Sequence, residues 1–180
     1  MSNHSPPPGR QERFVGLFEA TYDDLARFAQ RRVPAAQAED IVAEAFLVAW
    51  RRTDDAPEQL ADARAWLFGI ARNVILNTRR GARRQHAVAV RLAEAPRSAL
   101  HDDAELVAQQ IDLSRAWSLL TDVHQEALAL AVLDDLNAPQ AAAVLGISPV
   151  AFRLRLSRAR RALRSLLGHL PAPTPERHPS

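Results

Sequence analysis

The chain contains no cysteine and no lysine, and it has few glycines and little tyrosine or methionine. Without cysteine there is no disulfide framework, no thiolate metal site and no cysteine nucleophile, which suits a reducing compartment. No window approaches the run of about 18 apolar residues that a membrane span requires. The opening "MSNHSPPPGRQER" lacks the apolar stretch of a signal peptide, so the expectation is a cytoplasmic chain with no membrane insertion. Six glycines in 180 residues, and no alternation of β-branched or aromatic positions, argue against strands.

Catalytic constellations are also missing. The histidines His4, His86, His101, His124, His169 and His178 are scattered, with no pair at metal-ligand spacing, and no glycine-rich phosphate loop occurs. The adjacent carboxylates Asp54–Asp55, Asp102–Asp103 and Asp134–Asp135 fall at expected helix ends or turns, where capping explains them better than acid–base chemistry. The expectation is a protein that is not an enzyme, with no catalytic residue, no metal site and no cofactor.

What is present is helix-forming residues and arginine. Hydrophobic residues make up 47% of the chain and charged residues 24%, so the body can fold around a core. Apolar periodicity predicts helices near 12–32, 36–52, 60–84, 104–120, 123–134, 138–145 and 148–168, hence an all-α protein. Pro34, Pro57, Pro139 and Pro149 stand at or just inside helix starts, where a missing N–H costs little. Residues 85–103 have weak periodicity and contain Pro96, and they read as a flexible linker between two small helical domains, 12–84 and 104–169. The proline-rich ends, 1–11 and 170–180, read as disordered tails.

The net charge of +2 conceals a strong pattern. Residues 72–97 hold seven arginines against Glu94, residues 98–150 hold eight carboxylates against Arg115, and residues 151–166 hold six arginines against none. Two basic blocks flanking an acidic one suggest two contacts with a polyanion. Either block alone fits a solvated helix face equally well.

Three segments carry chemistry. In "LNAPQAAAVLGISPVAFRLRLSRARRAL", Asn137 can cap a short helix, Gly146 can end it in the left-handed conformation, and Ser148 can cap the next. Phe152, Leu156, Ala159 and Leu163 then form an apolar stripe that leaves the arginines outward, which is the helix-turn-helix arrangement for a major groove. A basic face on a helical hairpin is the plainer alternative. In "AWLFGIARNVILNTRRGARR", Trp66, Asn73, Asn77, Arg80 and Arg84 lie roughly along one side, offering the stacking, amide and phosphate contacts that unpaired bases use. Leu67, Phe68, Ala71, Val74 and Ile75 occupy the other side, and Trp66 read alone is better explained as a partly buried packing residue than as a stacking platform. In "AEDIVAEAFLVAWRR" the surface is apolar around most of its circumference, with Asp40, Glu44, Leu47 and Arg51 sharing one side, which implies a protein partner or a helix wrapped by its neighbours.

Taken in this order, the segments resemble the sigma-70 family, and within it the small extracytoplasmic-function (ECF) group of RNA polymerase sigma factors, over roughly residues 12–168. The resemblance implies binding to core RNA polymerase through Asp40, Glu44 and Phe46, with Leu47 and Arg51 on the same helix. It implies contact with the melted −10 strand through Trp66, Arg72, Asn73, Asn77, Arg80 and Arg84, and with the −35 duplex through Ser148, Arg153, Arg155, Ser157 and Arg158. It also leaves room for an anti-sigma factor as a regulatory partner. This sequence departs from the family pattern at Asn77, Gln125, Thr121–Asp122 and Ala138, and Ala151 and Leu154 replace the Thr and Ser common early in the recognition helix. Two rival readings stand beside it. One is a free-standing helix-turn-helix repressor with a helical dimerisation or ligand domain, and the other is a helical interaction module whose arginines meet an acidic protein.

Overall fold

The computed structural model describes residues 8–78, 88–92 and 104–169. The described residues form α1 (Pro8–Gln30), α2 (Ala35–Arg51), a 3-10 turn (Thr53–Asp55), α3 (Leu60–Thr78), α4 (Ala104–Leu119), α5 (Asp122–Leu128) running into a π turn (Ala129–Leu133), α6 (Ala138–Leu145) and α7 (Pro149–His169). There is no strand among them. The helices match the periodicity to within a few residues, with two differences. The first begins at Pro8, so residues 8–11 belong to α1 and not to a tail. The segment 123–134, expected as one α-helix, widens into a π turn from Ala129. Residues 1–7, 79–87, 93–103 and 170–180, which include most of both expected tails and part of the expected linker, lie outside the described residues.

Helices α1, α2 and α3 pack around Leu25, Phe28, Ile41, Ala45, Leu67, Phe68 and Ile75, with the Phe28 and Phe68 rings stacked at 4.5 Å. Each of the leucine, isoleucine and phenylalanine side chains contributes roughly 1.5–3 kcal/mol by leaving water. The same cluster continues without a break into Leu130, Ala141, Ala142, Val144 and Phe152 of the second domain. Helix α6 lies against α3, where Gly69 faces the Val144 backbone and Gln140 Nε2 donates to Asp62 Oδ1 at 2.8 Å. A second cluster of Trp117, Leu120, Leu128, Ala129 and Ala159 holds α4, α5 and α7 together.

The stretch read as a flexible linker is a strap over its described part. Val88 and Val90 are buried, the Arg91 N–H donates to the Arg31 carbonyl at 2.8 Å, and Trp117 Nε1 donates to the Val90 carbonyl at 2.6 Å. Gln125 completes the arrangement: its Oε1 accepts from the Val90 N–H at 3.1 Å, and its Nε2 donates to the Trp117 and Leu120 carbonyls. An amide both accepts and donates, so Gln125 satisfies the Val90 N–H as well as the two carbonyls, whereas an Arg at this place could only donate. The two domains are thereby packed against each other through residues 88–92.

Ion pairs run along the same seam. Arg72 Nε and Nη2 reach both oxygens of Glu126 at 2.7 and 3.2 Å, and both side chains are nearly inaccessible. Asp134 is fully buried and accepts from Arg31 and Arg32, the latter at 2.7 Å. The Arg32 guanidinium also stacks on the Phe28 ring at 3.5 Å, and burial pushes its pKa down while Asp134 draws it back up. The capping role expected for Asp134 is therefore overturned. An Asp placed directly after seven apolar residues, Ala127–Leu133, is carried inside, and a buried carboxylate requires a cation.

Candidate nucleic-acid and polymerase surfaces

The helix-turn-helix is built as its caps require. Asn137 and Gln140 form a reciprocal capping box at the start of α6, with Gln140 N–H donating to Asn137 Oδ1 at 3.0 Å. Gly146 ends that helix at φ 66°, the left-handed conformation that costs a residue with a Cβ roughly 1–2 kcal/mol. Ser148 Oγ accepts from the Ala151 N–H at 3.1 Å and so caps the start of α7. Phe152 and Ala159 are buried, and Leu156 and Leu163 are half-buried behind them. This places Arg153, Ser157 and Arg158 outward in solvent, with Arg155 half-buried at the margin. No acidic residue occurs in α7, so this face is an unbalanced cationic surface with its helix N-terminus leading.

Along α3 the expected division of faces holds: Leu67, Phe68, Ala71, Val74 and Ile75 are buried, while Asn73 and Asn77 are exposed. Trp66 is half-buried with the Arg52 guanidinium 6.0 Å from its ring, and both line a cavity of about 440 Å³ with Asn73, Pro139, Gln140 and Ala143. The packing and stacking readings of Trp66 are thus compatible, since one edge meets the core and another meets the cavity. Arg72 does not join this row, because it is turned inward onto Glu126. Arg80 and Arg84 lie outside the described residues.

On α2, Ala38, Ile41, Val42, Ala45, Phe46 and Ala49 are buried against α1 and α3. Asp40, Glu44, Leu47 and Arg51 form one exposed row, with Leu47 57% accessible. Phe46 is not part of that row. It packs with Phe14, Phe18 and Tyr22 of α1, and Phe14 also meets Trp50. This aromatic ledge, with Phe18 and Tyr22 partly exposed, was missed in the sequence, although Phe14, Phe18 and Tyr22 recur at helical spacing.

Two family descriptions fit this geometry: Sigma-70 region 2 matches residues 17–85, and Sigma-70, region 4 matches residues 111–163. The chain is 33% identical over 162 residues to the ECF RNA polymerase sigma factor SigL of Mycobacterium tuberculosis, covering 87% of this chain and 92% of that protein. The chain belongs to the sigma-70 family.

The sigma factor CarQ of Myxococcus xanthus is 34% identical over 164 residues, covering 90% of this chain and 93% of that protein. Among solved structures, CnrH in complex with the cytosolic domain of CnrY superposes with a TM-score of 0.58 at 28% identity, covering 88% of this chain and 89% of that one. Sigma factor RpoE of Bartonella quintana, in complex with the anti-sigma factor NepR, shares the fold at a TM-score of 0.56 and 24% identity, covering 88% and 96%. This sigma factor of the ECF group binds core RNA polymerase and promoter DNA and directs transcription initiation, and the repressor reading is not favoured. No helix among its described residues is long and apolar enough to cross a membrane.

Proposed function

We propose that residues 8–84 bind core polymerase and read and melt the −10 region, that residues 104–169 hold the −35 duplex, and that 85–103 join them. The observation that carries this assignment is the pair of exposed rows on separate helices. One is the mixed-charge row Asp40, Glu44, Leu47 and Arg51 on α2, and the other is the purely cationic row on the capped helix α7. The first suits a protein groove, with Leu47 as its apolar contact and Phe46 as the support beneath. The second suits phosphates, with Arg153, Arg155, Ser157 and Arg158 on the duplex and Ser148 fixing the helix start.

Trp66, Asn73 and Asn77, with Arg80 and Arg84, form the −10 set. Arg72 joins them only when its pair with Glu126 breaks, and with that pair closed it ties the domains together. The chain works as a specificity subunit beside the polymerase in the cytoplasm, and bond formation belongs to the polymerase. CnrH and RpoE of Bartonella quintana are described bound to the cytosolic domain of CnrY and to the anti-sigma factor NepR. A comparable anti-sigma partner is proposed here.

Run-off transcription with purified core enzyme on sheared genomic DNA tests the reading: start sites that depend on this protein are expected, and their absence would overturn it. Changing Asp40 and Glu44 together to Ala should abolish co-purification with core enzyme at an unchanged melting temperature. Retained binding would remove the α2 row from the interface.

A further inference from the structure

Helix α7 carries two exposed apolar residues that its packing does not explain. Val150 is 62% and Leu154 55% accessible, four residues apart in the first two turns. At about 100° per residue they lie opposite the stripe of Phe152, Leu156 and Ala159 that meets the core, and the described residues leave them uncovered. Arg153 and Ser157 flank them on one side and Arg158 on the other, all exposed. An apolar pair inside an arginine frame is ill suited to an apolar protein groove, where the guanidinium groups would lose water without a counter-charge. It is well suited to a groove walled by phosphates.

We propose that Val150 and Leu154 read thymine C5 methyl groups in the major groove of the −35 element, a reading that rests on the −35 assignment of α7 above. The thymine methyl is the apolar group that the major groove offers at its base edges. The first turns of a recognition helix approach those edges most closely, and this helix places no neutral hydrogen-bonding side chain there. Ser148 Oγ is engaged by the Ala151 N–H, and positions 150, 151 and 154 are Val, Ala and Leu. Bidentate reading of adenine needs Asn or Gln, and neither occurs in α7. Arg153 can read guanine through O6 and N7, and the remaining discrimination falls to methyl contacts. The specificity of this chain is accordingly thymine methyls beside a guanine, with hydroxyl-to-base hydrogen bonds playing no part at 151 and 154.

The test uses holoenzyme assembled from core polymerase and the full chain. A duplex library randomised over the upstream element is selected for binding, and each thymine of the enriched element is then replaced singly by deoxyuridine, which removes only the methyl. One or two replacements should each weaken binding about three- to fivefold, the change that loss of one buried methyl-sized contact produces. Leu154→Ala should erase the penalty at one of these positions and Val150→Ala at another. Leu154→Ser should shift the selected base away from thymine there. Deoxyuridine without effect, or an equal penalty in wild type and both Ala variants, would overturn the methyl reading while leaving the −35 assignment standing. Selection of no base preference anywhere in the upstream element, on a template whose fixed −10 region is still bound, would overturn both together. Both residues are exposed, so the variants should fold, and their melting curves confirm it.

Discussion

Helices α3 and α7 both carry arginine to the proposed nucleic-acid surfaces, yet they dispose of it in opposite ways. Arg72 of α3 is turned inward onto Glu126, at 8% and 1% accessibility, and spans the boundary between the domains. Arg153 and Arg158 of α7 face solvent with no carboxylate on their helix. Arg64 of α3 stands between these extremes, half-buried beside Asp24. A cation's contribution thus moves from holding the fold to holding a ligand as its exposure rises. A buried pair cannot lose one partner cheaply, whereas an exposed charge is solvated with or without one.

The largest effect is expected for Asp134→Ala, which removes the buried carboxylate that Arg31 and Arg32 share. Denaturant unfolding should show a loss of about 4–5 kcal/mol. Glu126→Ala should cost about 3–4 kcal/mol for the same reason. Adding Arg72→Leu should recover most of that loss, because the pair would then be replaced and not broken. A double variant no more stable than Glu126→Ala would contradict the account of the seam.

A smaller effect belongs to Asp24. Burial alone would raise its carboxyl pKa, but Arg27 and Arg64 outweigh burial and hold it below the usual carboxylate range. The unfolded chain therefore binds the proton at a higher pH than the folded one. The contribution of Asp24 is present above the ordinary carboxylate value and is lost as the pH falls through the lower folded value. Asp24→Asn should flatten the acid limb of a stability–pH curve by about 0.5–1 kcal/mol, a size set by the solvent-screened position of the pair. The smallest stability change, within about 0.5 kcal/mol, is expected for Arg158→Ala. That variant should nevertheless lower the salt slope of promoter binding by about 0.9, one phosphate contact. A reversed order across these residues would dissolve the comparison.

Much of the fold was legible in local pattern. Asn137, Gly146 and Ser148 mark the helix-turn-helix through capping chemistry that acts over a few residues. The stripe from Phe152 to Leu163 and the two faces of α3 follow from helical spacing alone. The exposed row on α2 could be read in the same way. Phe46 could not be told apart from its exposed neighbours, because which apolar side of α2 is covered depends on where α1 lies. The fates of Arg72 and Asp134 were hidden too, since each partner is more than 50 residues away in the chain.

Local physics was enough to make this protein helical, to cap the two helices of its helix-turn-helix, and to set which sides of α2, α3 and α7 are apolar, because caps and periodicity act over a few residues. Only the tertiary structure decided which charges are spent. Packing α6 on α3 and threading Val88 and Val90 between the domains put Glu126 and Asp134 out of water. A carboxylate out of water takes the nearest guanidinium, wherever the chain supplies it.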